Sequence, residues 1–116
     1  MPSTETNLTM TTRREKIEAM LADDPTDTFL RYSLAMEQRS EGLNDEAIAS
    51  FEGLTKDDPP YVPAFFMAAQ LMVDLDRISE ARAFLRDGID QARAQKDGHA
   101  AAEMSDYLAM LGREGE

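Results

Sequence analysis

The longest apolar run occupies residues 61–75, Tyr-Val-Pro-Ala-Phe-Phe-Met-Ala-Ala-Gln-Leu-Met-Val-Asp-Leu, and from Val62 to Val73 its only polar residue is Gln70. Its alanine, leucine and methionine content favours helix, and its length exceeds that of a typical strand. It falls short of the roughly 20 apolar residues that span a bilayer. Pro63 stands in the first turn, where the missing N–H costs nothing. The pattern predicts a central helix that neighbouring helices cover on nearly every side.

The flanking segments repeat the helical period. Thr12-Arg-Arg-Glu15 has the spacing of a capping box, and Ile17, Met20 and Leu21 form one stripe behind it. That predicts a first helix over 12–23, ended ahead of Pro25. Asp24-Pro25-Thr26-Asp27 reads as the next helix start, with Asp24 as N-cap and Pro25 at the first helical position. This second helix extends to about Ser40 and has two apolar faces, Leu30/Leu34/Ala35 and Phe29/Tyr32/Met36. A helix apolar on two sides belongs in the middle of a stack. After Gly42, a third helix from Asn44 or Asp45 carries Ala47, Ile48, Phe51 and Leu54. A fifth, from about Ser79 to Lys96, turns Ala81, Phe84, Leu85, Ile89 and Ala92 inward. The last, over 99–111, has Ala100, Met104, Tyr107, Leu108 and Leu111 on one stripe. Residues 1–11 read as a disordered tail and 112–116 as a frayed end. The fold class is therefore all-α: about six helices, joined by connections short enough to make consecutive helices antiparallel neighbours.

One hairpin occurs twice. Pro25 and Pro59 lie 34 residues apart, as do Ala35 and Ala69, Glu46 and Glu80, Ala47 and Ala81, and Ala49 and Ala83. A helix–turn–helix period of this length is that of the tetratricopeptide repeat, and the chain resembles that family over residues 12–111. In the first repeat, 28–61, Leu34-Ala35, Gly42, Ala47, Phe51 and Pro59 match the family's motif. In the second, 62–95, Phe65, Ala69, Ala81 and Leu85 match. The departures are Arg31 in an aromatic position, Gln38 where tyrosine is usual, Asp76 at the turn glycine, Gly88 on the second B-helix, and Arg93 in place of proline. Each hairpin leaves an apolar face that a neighbour must cover. Residues 12–23 then read as a leading half-repeat and 99–111 as the closing cap of a single right-handed α-α superhelix.

The resemblance implies a protein-interaction module that binds a peptide or protein segment in the groove lined by the A-helices. Carried over by position, the groove side chains are Phe29, Tyr32, Ser33, Met36 and Arg39 in the first repeat, and Phe66, Met67, Gln70 and Val73 in the second. Aromatics and methionines there suit an apolar or amphipathic segment. The Lys/Asn clamp with which some members hold acidic tails is absent; Tyr32, Met36 and Met67 occupy its positions. The alternative is self-association through this face or through Met104, Tyr107 and Leu111 on the cap helix, giving a monomer or weak homodimer.

Charge narrows the partners. The chain has 116 residues, 23 acidic and 12 basic, with a net charge of −11. That field argues against nucleic acid and anionic membrane as primary partners; it reads first as solubility or adaptation to a salty cytoplasm, and second as attraction to a basic partner. No cysteine is present, and no basic-then-apolar leader is seen, which together fit a cytoplasmic protein. Catalysis, cofactor and metal are not expected. His99 is the only histidine and has no second ligand at metal spacing. The pairs Asp57-Asp58 and Asp74/Asp76 flank helix ends, where carboxylates cap N–H groups. Arg82, Arg86 and Arg93 read as a solvated face, with Arg86 four residues from Asp90 and able to pair with it.

Overall fold

The computed structural model describes residues 12–114; the tail expected over 1–11 and the last two residues of the expected frayed end lie outside them. Among the described residues there are six α-helices and no strand: α1 (Arg13–Asp23), α2 (Thr28–Ser40), α3 (Asn44–Thr55), α4 (Val62–Asp74), α5 (Ile78–Ala94) and α6 (Gly98–Glu114). Each packs on its neighbours in sequence, and α4 also touches α6. The radius of gyration, 16.5 Å, exceeds the roughly 13 Å of a compact 100-residue domain. The described residues thus form an extended stack of helices.

The period visible in sequence reappears as burial. Ala35 and Ala69, Ala47 and Ala81, and Phe51 and Leu85 are equivalent pairs, and all six are wholly buried. The alanines bring helix backbones together, and the larger side chains fill the space between hairpins.

The turns after α2, α4 and α5 share one cap. Leu43, Arg77 and Asp97 donate their N–H groups to the carbonyls of Gln38, Met72 and Ala92, six-to-one bonds of 2.8, 2.8 and 2.7 Å. Gly42, Asp76 and Lys96 close the inner bonds, to Arg39, Val73 and Arg93. This is the Schellman arrangement, which needs a left-handed residue at its closing position. Gly42, Asp76 and Lys96 have φ of 77°, 60° and 62°. Asp76 therefore departs from the glycine pattern in residue type but keeps its conformation.

Three expectations shift. The N-cap of α2 is Asp27, whose carboxylate accepts from Leu30 N at 2.8 Å, not Asp24. Asp24 ends α1 instead, and the 24–27 stretch turns on a bond from Asp27 N to Asp24 O. Two aspartates three residues apart offer two caps, and the one that leaves Pro25 in the turn prevails. The last helix runs three residues past Leu111. The central helix α4 is not enclosed: Phe66, Met67, Gln70 and Val73 are half-buried while Ala64, Phe65, Ala68, Ala69, Leu71 and Met72 are buried.

The departures from the repeat pattern have structural partners. Arg31 forms a two-pronged ion pair with Asp57 at the end of α3, with contacts of 2.6 and 3.2 Å. Gln38 is buried and its Oε1 accepts the Ser50 hydroxyl at 2.7 Å. Gly88 lies where α4, α5 and α6 meet: a Cβ there would stand 2.6 Å from Phe65 Cβ and from Met104 Sδ. With Arg93 in place of proline, α5 extends to 17 residues against 12 for α3.

Candidate functional site

Tyr32, on α2, is held by ring contacts from outside its own helix, edge-on to Phe51 of α3 at 6.1 Å and to Tyr61 ahead of α4 at 5.3 Å. Burial, followed by the neighbouring Tyr61, raises its phenol pKa, so the ring stays neutral. Tyr32 lines two clefts, one on either side of α2.

The first cleft, about 300 Å³, lies between α2, α4 and the start of α6; Tyr32, Val62, Phe66, Met67 and Ala100 form its apolar wall. Asp97, His99 and Glu103 give it a charged rim. The second, about 380 Å³, lies between α1 and α2 and is lined by Ile17, Met20, Phe29, Leu30, Tyr32 and Met36. Its charged residues, Arg13 and Glu37, are paired at 3.2 Å. Phe29 and Met20, both on this cleft, are the exposed large hydrophobic residues among the described residues, at 72% and 49%.

Of the side chains expected in the groove, Phe29, Tyr32 and Met36 meet in the α1/α2 cleft, and Tyr32, Phe66 and Met67 in the other. Ser33 lines the first of these as well. Arg39, Gln70 and Val73 line neither. The Arg39 guanidinium is held by Asp74 at 2.7 Å, which ties α2 to the end of α4. The α6 cap covers part of the second repeat, where Tyr107 tilts against Phe66 with ring centroids 5.5 Å apart.

Sequence reasoning missed the walls supplied from outside the two repeats. Ile17 and Met20 read as the core stripe of a leading helix, but only Ile17 is buried. Asp97, Ala100 and Glu103 sit at the start of α6, which stands beside α4 as a third A-helix. A signal existed for both: a half-repeat at each end must face the groove as well as the core.

His99 is exposed and lies 3.2 Å from Glu103. Among the described residues no group of three or more His, Cys, Asp and Glu could hold a metal, and no helix is long and apolar enough to cross a membrane. A larger cavity of about 650 Å³ lies at the loop end, beside Arg31, Asp57, Pro59 and Gln95. The Arg31–Asp57 pair and a Gln95 Nε2 bond to the Pro60 carbonyl, 2.8 Å, cross that junction. The expected Arg86–Asp90 pair is not formed, and Arg82 donates instead to the Leu111 carbonyl at 3.0 Å. Met104 and Leu111, expected as a self-pairing face, are almost wholly buried within the chain.

Comparison with known proteins agrees with the geometry. No curated protein sequence matches the chain. A solution structure of a tetratricopeptide repeat domain protein from Salinibacter ruber is 32% identical, covers 75% of this chain and 88% of its own, and aligns with a TM-score of 0.71. The solution structure of a protein from Bordetella parapertussis is 25% identical, covers 90% of this chain and 91% of its own, and gives 0.76. The tetratricopeptide repeat family model matches residues 38–104, a span that reaches from the end of α2 into α6. With that match over more than half its length, the chain belongs to the tetratricopeptide repeat family.

Proposed function

We propose that this protein is a non-catalytic interaction module that holds a segment of another protein across α2, with apolar anchors in the two clefts that share Tyr32. Tetratricopeptide repeats in general are protein-interaction modules. The observation that carries the finer reading is the position of Phe29: 72% exposed, large, apolar, and on the rim of a cleft already lined by Met20 and Met36. Exposed aromatics and methionines on a preformed concavity suit partner anchors, because a rigid ring and an adaptable thioether bury area at low ordering cost. Gathering such residues into one cleft distinguishes this site from singly scattered surface apolar residues.

Photo-crosslinking tests the reading. A photoreactive side chain replaces Phe29 in one variant and Arg86, exposed on α5, in another, and each is irradiated in the native cell. Recovery of the same protein adduct from the Phe29 position and not from Arg86 is the expected result. Equal adducts from both positions, or none from Phe29, would remove the groove as the binding site.

A further inference from the structure

We infer that the segment taken by this groove is basic, with two apolar anchors about 10 Å apart and its cationic end over the start of α6; this rests on the groove reading above. The spacing comes from the stack. Packed helices stand about 8–10 Å apart, and one helix, α2, separates the two clefts. Anchors seven residues apart on a helix, at about 1.5 Å per residue, or three apart on a polyproline II segment, at about 3.1 Å per residue and three residues per turn, lie on one face and span that distance.

The sign of charge comes from which groups are already committed. The cations beside the groove are engaged, Arg13 with Glu37 at 3.2 Å and Arg39 with Asp74 at 2.7 Å. Among the described residues, Asp97 and Glu103 on the α6 side are not matched by Lys or Arg. Asp97 accepts the Ala100 N–H at 3.1 Å, and Glu103 meets only His99. Both carboxylates are exposed and face a cleft whose wall is apolar. A lysine or arginine next to an apolar anchor there would find uncommitted charge. The whole chain, at −11, adds an attractive field for a cation and repels an acidic segment or a second copy.

A random peptide library displayed against the purified protein tests this. The expected winners carry two apolar residues at one of those spacings and Lys or Arg beside one of them. Phe29→Ala should abolish their retention. Glu103→Lys should weaken them about three- to tenfold at low salt, and less at high salt. Asp90→Lys, an equal charge change on α5, should leave affinity within about twofold. Neutral or acidic winners that still depend on Phe29 would leave the groove standing and overturn the basic partner. An equal loss from Asp90→Lys would reduce the effect to the overall field and overturn the α6 contact. Winners indifferent to Phe29→Ala, or no winners, would sink both readings. A dimer that Phe29→Ala dissolves would put a second copy in the groove and overturn the inference.

Discussion

Gly88 on α5 lies so close to Phe65 on α4 that a Cβ at Gly88 would stand 2.6 Å from Phe65 Cβ. The obstacle is the root of a side chain, which cannot swing away, and Met104 Sδ closes the other side at the same distance. Overpacking of this kind costs about 1–3 kcal/mol. The helix-propensity gain of alanine over glycine, about 1 kcal/mol, offsets part of it. Gly88→Ala should therefore destabilise the fold by up to about 2 kcal/mol, read as a lower Tm. A Tm at or above that of the parent would show that the three-helix junction has room.

The three Schellman turns make a paired test with opposite signs. Gly42 has φ of 77° and no atom near the position of an added Cβ. Gly42→Ala should thus lose about 1 kcal/mol from backbone conformation alone. Lys96 holds φ of 62° with a side chain that gains nothing locally. Lys96→Gly should stabilise by about 0.5–1 kcal/mol after allowing for glycine's freedom in the unfolded chain. Asp76→Gly should gain less, because aspartate tolerates this region better. Denaturant melts of the three variants measure the order.

Gln38, buried, and Ser50, half-buried, form a polar pair across the first hairpin. Ser50→Ala strands the Gln38 amide oxygen and should cost about 1–3 kcal/mol. Gln38→Met with Ser50→Ala removes both polar groups and should recover most of that loss. A double variant as unstable as Ser50→Ala alone would refute the pairing.

The capping box of α1 gives a pH response. Thr12 N–H donates to the Glu15 carboxylate, and Glu15 N–H to the Thr12 hydroxyl, both at 3.0 Å. The Thr12 backbone N–H first, and then the Thr12 hydroxyl beside it, hold the Glu15 pKa below the usual carboxylate range. A depressed folded pKa means the contribution is present above the unfolded value and lost as pH falls through the folded one. Amide protection in the first turn of α1, taken relative to the intrinsic exchange rate at each pH, should fall on acidification through the ordinary carboxylate range. Glu15→Gln should flatten the response.

Phe29 separates binding from folding. It is 72% exposed, so Phe29→Ala should leave stability within about 0.5 kcal/mol. As an anchor it should cost about 2 kcal/mol of partner affinity, more than tenfold. Tyr32→Ala would confound the two, since Tyr32 also packs on Phe51 and Tyr61. Calorimetry with a captured partner and a thermal melt on the same sample give both numbers.

How much of this was legible beforehand differs by residue. The Thr12–Glu15 box could be read because both partners sit within one turn. Ala35 with Ala69, and Ala47 with Ala81, could be read because the repeat displays them twice. Arg31 and Gln38 were visible only as departures, since their partners, Asp57 and Ser50, are 26 and 12 residues away. The clefts were legible only in part: Phe29, Tyr32, Met36, Phe66 and Met67 follow from the repeat, whereas Ile17, Met20, Ala100 and Glu103 come from the two end helices outside the repeats.

The amino-acid sequence by itself determined the helices, their order and the small residues at which they cross. Those features follow from contacts three or four positions apart and from a unit written twice. Tertiary structure alone decided which apolar side of α2 and α4 stays open, why Gly88 admits no side chain, and which carboxylates are left beside the groove. Local periodicity marks a face as apolar, but whether that face is covered depends on how many layers stack against it and how the stack bends.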